Sequence, residues 1–511
     1  MARLGRDIYR KKLERYLSHS DDEQIISLVS AVVAAQSGNQ KALTVMRDLP
    51  PEAVGAELGS PYHIPLWSLE TLINELLATP KAKRFGIGRT RVLNAEMFQT
   101  LRALHGILIK LENAEDGIFL EKHDVFNEMA RIVQRQFPWQ RGFMNAPHLY
   151  RSMLLYGTGS AREYFEASAG ISLSDFVKTG ACMSGALKNN DWVHRQRNLS
   201  EIGISPEVRE ATLLKLAIPH AEARHLAARM RKAHRHTAYR PSILRDFPIM
   251  AFGERGERLR APIPELIMYR YTSGLYLDVV QGGSAVWTGI GTRFEGYVLE
   301  YLQAMMSPYE VIGEQVSGPK KARHRTPDVL VSGTDGIVAA IECKAKRMSF
   351  DARYADDPIA SASIGFDELA KGMFQIWRFF SHARRGLTGD VTVAPSCRGV
   401  IVTADSWLTM ASRQAEQVIA IAMAMADAEG DIDEGDRREI AFCPINDVEY
   451  ALQHGTADSF LDACCEVSSG EKKGFMLSVA HAATRDQQRD YPFKDRIADV
   501  LPWMRSAFEH D

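Results

Sequence analysis

Thr326-Pro327-Asp328-Val329-Leu330-Val331, followed after a glycine-rich turn by Ile337-Val338-Ala339-Ala340-Ile341-Glu342-Cys343-Lys344, is the stretch on which the reading of this chain turns. Both runs are apolar and β-branched enough to be strands. Side chains alternate along a strand, so Glu342 and Lys344 share one face while Ile341, Cys343 and Ala345 take the other. Between the runs, Ser332-Gly333-Thr334-Asp335-Gly336 suits a tight turn and makes them a hairpin, which brings Asp328 beside Glu342. Two carboxylates and an ammonium at one point are what metal-assisted phosphodiester hydrolysis needs. Oxygen ligands hold a hard cation, and a lysine positions water or steadies negative charge.

The flanking sequence extends this pattern in order. Upstream, Gly291 to Leu302 reads as an amphipathic helix, with Phe294, Tyr297, Val298, Tyr301, Leu302 and Met305 on one stripe, Glu295 at its edge and Glu300 on the far side. Tyr309 to Val316 alternates as a first strand. A basic run, Lys320, Lys321, Arg323, His324 and Arg325, then precedes Asp328 and reads either as a phosphate-facing surface or as a solvated face. Downstream, Asp367 to Phe380 is a helix with Leu369, Met373, Ile376, Trp377 and Phe380 inside and Lys371, Gln375 and Arg378 polar. Gly399 to Thr403 and Glu439 to Ile445 are further strands, separated by the helix Arg413 to Ala428. Strands alternating with helices predict an α/β core. Glu471-Lys472-Lys473 repeats the acidic-x-Lys spacing in a polar loop without strand context and carries no such reading.

The Pro327-Asp328 and Glu342-Cys343-Lys344 elements resemble those of the PD-(D/E)xK nuclease superfamily, over about residues 285 to 450. The resemblance implies a restriction-endonuclease-like core, a mixed sheet flanked by helices, and a divalent-metal-dependent nuclease. DNA is the favoured substrate, RNA the alternative, and internal cleavage is favoured over end digestion. Asp328, Glu342 and the Cys343 carbonyl would then ligate Mg²⁺ or Mn²⁺, with Lys344 at the attacking water. Glu295 would be an extra metal or water ligand, against its plain reading as a solvated boundary residue. Gln375, four residues before Phe379, is similar to a Gln-x-x-x-Tyr element of some branches of the superfamily, which would let it hold the site or touch nucleic acid. Its plain reading is an exposed helix residue. Lys320, Lys321, Arg323 and Arg325 would meet the phosphate backbone. The resemblance to helix-plus-nuclease chains further implies a context of restriction, phage defence or mobile elements. A non-catalytic nucleic-acid- or protein-binding scaffold on the same fold is the competing expectation.

Residues 1–240 are helical in pattern and are expected to form an all-α accessory or interaction domain, a surface for a partner protein or a homodimer. A capping box at Ser20 and Glu23 and stripes such as Leu69, Leu72, Ile73, Leu76 and Leu77 support that reading. Proline-bearing residues 241–284 read as a connector over a domain surface, and 285–511 as the nuclease domain with a C-terminal helical extension. Two features of the first part are expected to be able to reach nucleic acid: Arg131, Arg135, Trp139 and Arg141, which interleave cations with an aromatic, and the run Arg224, Arg229, Arg231, Lys232, Arg235, Arg240 and Arg245. The second is expected to be a DNA clamp, a solvated helix face or a protein interface.

Composition limits the alternatives. A net charge of −2 and a pI near 6.7 exclude a globally basic coating protein, so nucleic-acid binding has to come from local patches. Six cysteines without a Cys-x-x-Cys point to a reducing cytoplasm without structural zinc. The charged start and the short apolar run from Ile25 to Ala35 lead us to expect neither a signal peptide nor a membrane span. No phosphate loop, His-Glu-x-x-His or Gly-x-Ser-x-Gly is present in the sequence.

Overall fold

A computed structural model describes residues 2–82, 93–123, 125–143, 145–320, 323–355, 357–481 and 487–505. The chain forms two compact units. The first comprises Met1–Asp124, Arg135–Asn145 and Arg162–Gln281, and the second Val125–Gln134, Ala146–Ala161 and Gly282–Asp511.

The first unit is mainly helical around a core that includes Leu28, Leu69, Leu72, Leu76, Leu101, Leu108 and Leu111. It is not all-α, which corrects the expectation for residues 1–240. Strands β1 (Val193–His194) and β2 (Ala217–Pro219) join β3 (Ile249–Phe252) and β4 (Arg258–Arg260) in a sheet of order β1-β4-β3-β2. Strands of two and three residues are too short to display alternation, so periodicity could not reveal them.

The connector assigned to 241–284 is corrected too. Ile243, Leu244, Met250, Ile263 and Leu266 are fully buried in this unit's core. Its prolines punctuate short elements; Pro264, for example, precedes helix Glu265–Tyr271. Conversely, residues 146–161 belong to the second unit, where Arg151 is ion-paired to Glu449 and the Tyr150 ring lies 6.3 Å from Tyr297.

The second unit is built on a five-stranded sheet of order β11-β10-β9-β8-β5. Its strands are β5 (Glu310–Gly313), β8 (Val329–Gly333), β9 (Gly336–Lys344), β10 (Val393–Thr403) and β11 (Ile440–Pro444). A separate ribbon pairs β6 (Val316–Ser317) with β7 (His324–Arg325). Strands β5, β8 and β9 run antiparallel in sequence, whereas β9, β10 and β11 run parallel, so the sheet is mixed. Parallel neighbours need long crossovers. Helices Ser363–Arg384 and Ser412–Glu429 lie in those two connections. The first expected strand, 309–316, is interrupted: β5 ends at Gly313 and the pairing resumes at Val316 with a different partner.

The β8–β9 turn closes over Thr334 and Asp335, with Gly333 opposite Gly336. Gly336 has φ +110°, and a Cβ there would lie 2.5 Å from the Thr392 carbonyl oxygen, so glycine is required on both counts. Leading the sheet, helix Gly283–Met305 buries Val286, Ile290, Phe294, Tyr297, Val298, Tyr301, Leu302 and Met305 at helical spacing. Among the described residues no helix is long and apolar enough to cross a membrane.

Candidate active site at the head of the β8–β9 hairpin

Register assembles the site. Val329 pairs with Ile341, so Asp328 just ahead of β8 falls level with Glu342 near the end of β9. The Asp328 carboxylate accepts a 2.7 Å hydrogen bond from the Cys343 N–H. Two residues along β9, Lys344 donates from Nζ to Glu342 Oε1 at 2.8 Å and reaches Gln375 Oε1 at 3.5 Å. Gln375 is half-buried on helix Ser363–Arg384, so its plain reading as an exposed helix residue is corrected: the helix crosses the sheet where Lys344 emerges.

That crossing depends on Gly372. A Cβ at this position would lie 2.8 Å from Lys344 Cε and 3.3 Å from Glu342 Cγ. The missing side chain is the space that the lysine stem occupies.

Glu295, on helix Gly283–Met305, joins the same electrostatic group. Its carboxyl is pushed up first by partial burial and next by Asp328, against the pull of Lys344. Asp328 is raised by burial, opposed by the Cys343 N–H and by Lys344. Glu342, only 3 % exposed, is pushed up to about 7, by burial first, with Lys344 opposing and Asp328 adding to the rise. Lys344 is raised despite its burial because Glu342 and Asp328 hold its proton. Three carboxylates therefore share one ammonium in a partly dry site, and each is short of positive charge.

Such an oxygen-rich, cation-poor donor set fits a hard divalent ion better than zinc. Asp328 and Glu342 each keep one carboxylate oxygen that accepts no hydrogen bond among the described residues. No three His, Cys, Asp or Glu side chains are already gathered around one point among the described residues. Lys344 lies on Glu342 in their place. Cys343 offers backbone alone, since its buried thiol is held far above its usual range, by burial first and the carboxylates second.

Of the expected phosphate-facing cations, Lys320 and Arg323 are exposed, and Lys321 lies outside the described residues. Arg325 is exposed but donates to both oxygens of Glu314 at 3.3 and 3.1 Å. Glu314 went unnoticed in the sequence. Its negative charge acts on both Asp328 and Glu295, which makes it a fourth carboxylate at the margin of the site. The signal was available, because Glu314 directly follows β5, the strand that pairs with β8.

The basic run of the first unit behaves differently. Arg224 binds Asp22 at 2.5 Å, Arg231 pairs with Glu14, Arg240 with Glu75, and Arg245 with Glu70 at 2.8 Å. Arg229, Lys232 and Arg235 remain exposed. Arg135 is bound to Glu112 at 2.8 Å, and the Trp139 indole N–H donates to Glu70 at 3.2 Å. Most of the supposed clamp is thus engaged with the unit's own acids, and the reading as a DNA surface is withdrawn for those residues. Comparison with protein-family models, with curated proteins and with solved structures finds no match.

Proposed function

We propose that the second unit is a divalent-metal-dependent nuclease with a restriction-endonuclease-like core, acting on DNA. The reading rests on one observation above others. Asp328, Glu342, Lys344 and Glu295, drawn from a hairpin and a preceding helix, act on one another's protonation, and a further helix delivers Gln375 to the same lysine.

Asp328, Glu342 and Glu295, with the Cys343 carbonyl, would hold Mg²⁺ or Mn²⁺, which when bound supplies Lewis acidity at the scissile phosphate. The protein's own groups do the rest. The Lys344 ammonium, 2.8 Å from Glu342, would steady the negative charge that builds on phosphate oxygens. Gln375 Oε1, 3.5 Å from Nζ, helps to position that ammonium. Asp328 is held in its orientation by the hydrogen bond that its carboxylate accepts from the Cys343 N–H.

The test is cleavage of supercoiled plasmid, linear duplex, single-stranded DNA and RNA with Mg²⁺, Mn²⁺ or EDTA, beside Lys344→Ala. We expect cutting that EDTA abolishes and that Lys344→Ala lowers by about 10³-fold, with an unchanged circular dichroism spectrum. Equal cutting by the variant sinks the assignment. Preference for RNA would move the substrate, and a folded protein that binds but never cuts would make it a scaffold.

A further inference from the structure

Helix Ser363–Arg384 continues past the site. Lys371, Gln375, Arg378 and His382 follow one another at steps of four, three and four residues and so line a single stripe. Two points of that stripe are pinned. Gln375 touches Lys344, and the His382 ring meets His324 of β7 with centroids 4.4 Å apart. The β6–β7 ribbon is further tied to the turn that follows this helix by Ser317 Oγ donating to the Leu387 carbonyl at 2.8 Å. Exposed Lys320 and Arg323 belong to the segment joining the two strands of the ribbon, and β7 runs on into Asp328. A rim of helix and ribbon therefore leads away from the reactive lysine.

Arg378 lies between the pinned points, about 4.5 Å of helix rise from Gln375 and about 6 Å from His382. Its guanidinium stands 5.2 Å over the Phe374 ring of its own helix and forms no ion pair among the described residues. Its neighbours at the helix end differ. Arg384 binds Asp436 at 2.8 Å, and Arg385 pairs with Asp431. Where this segment uses arginine to hold the fold, an aspartate faces it. Arg378 is propped on an aromatic ring instead, and its fork of donors meets no acceptor among the described residues. Burial, then the nearby His324 and Arg378, push His382 down to about 4, so the positive charge on the stripe belongs to Arg378 and Lys371.

We propose that Arg378, assisted by Lys371, binds the backbone phosphates that flank the scissile one, the rim of helix and ribbon being the path of the nucleic-acid strand. This rests on the nuclease reading of the Lys344 site and extends it to a substrate track. The stretch from Gln375 to His382 is about 10 Å of helix, or about three nucleotide steps at 3.4 Å of rise per strand. Phosphate contacts position without reading sequence, so the track should be indifferent to base composition.

The test is binding of the full chain, in EDTA, to two labelled duplexes of unrelated sequence across a series of salt concentrations. Arg378→Ala should reduce the slope of log K against log salt by about one and weaken both duplexes about equally, by about 3- to 10-fold. Arg378→Lys should retain the slope, and matched melting curves would exclude misfolding. An unchanged slope in Arg378→Ala overturns the track even when the wild type cuts. A loss confined to one duplex overturns it as well, since that marks a base contact. Failure of the wild type to bind at any salt also ends it. Binding that depends on Arg378, in a protein that never cuts, upholds the track while the nuclease reading falls.

Discussion

Both units bury ionic clusters, and they balance charge in opposite ways. In the first, Glu75 meets Arg10 at 2.8 Å, Arg240 closely and Arg231 at 4.0 Å, while Glu115 meets Arg10 at 2.9 Å and accepts from Thr237 N–H at 2.6 Å. Cations are as plentiful there as the carboxylates they serve. In the second unit Lys344 is the one cation acting on Glu295, Asp328 and Glu342 among the described residues, and all three carboxyls are raised. The first arrangement is complete without a guest. The second is a cluster that a bound cation would relieve, and a surplus of buried carboxylate distinguishes a site from a brace more sharply than the presence of charge does.

Removing one cation from the complete cluster should therefore cost the fold most. Arg240→Ala leaves Glu75, itself fully buried, with a gap at one oxygen and should destabilise the protein by about 3 kcal/mol, with cleavage per folded molecule unchanged. Chemical denaturation paired with an activity titration checks this. A loss of cleavage without loss of stability would make the first cluster functional after all.

Gly372→Ala probes the incomplete cluster by shape. The added methyl meets Lys344 Cε at 2.8 Å and must displace the lysine or the helix. The expected cost is about 1–2 kcal/mol of stability, with a clear fall in kcat. Retention of both would show that the lysine stem has room to spare.

The smallest effect concerns protons. Burial first pushes the Glu342 carboxyl up from its ordinary 4.5 to about 7 in the folded protein, so the native state holds an extra proton between those values. The carboxylate's cost to stability is then fully present above pH 7 and disappears as pH falls toward 4.5. Glu342→Gln should accordingly melt above the wild type at pH 8, by about 1–2 kcal/mol, and lose that advantage near pH 5. A constant difference between the two across this range would place the raised carboxyl elsewhere.

Much of the geometry of the candidate site was legible from alternation alone. Glu342 and Lys344 are two apart on a strand, and a glycine turn returns the chain to Asp328, so their meeting follows from local rules. Glu295 was reachable from its place at the edge of a helical stripe. Gly372 and Glu314 were not singled out, because their roles arise from which helix crosses and which strand pairs, and both are long-range events. The buried arginines of the first unit misled for the same reason. A cationic run looks identical in sequence whether water or Glu70 and Glu75 lies opposite. The buried connector shows that proline marks the ends of short elements as readily as it marks a linker.

The hairpin of β8 and β9 has a consequence in time. It closes over a two-residue turn, so bringing Asp328, Glu342 and Lys344 together costs little chain entropy. Its parallel neighbour β10 waits for the crossover that contains Gly372 and Gln375. During synthesis the chain thus makes the groups of the candidate site before the helix that crosses them. A polypeptide stopped just after Lys344 would carry Glu295, Asp328, Glu342 and Lys344 but not the helix that steadies the lysine.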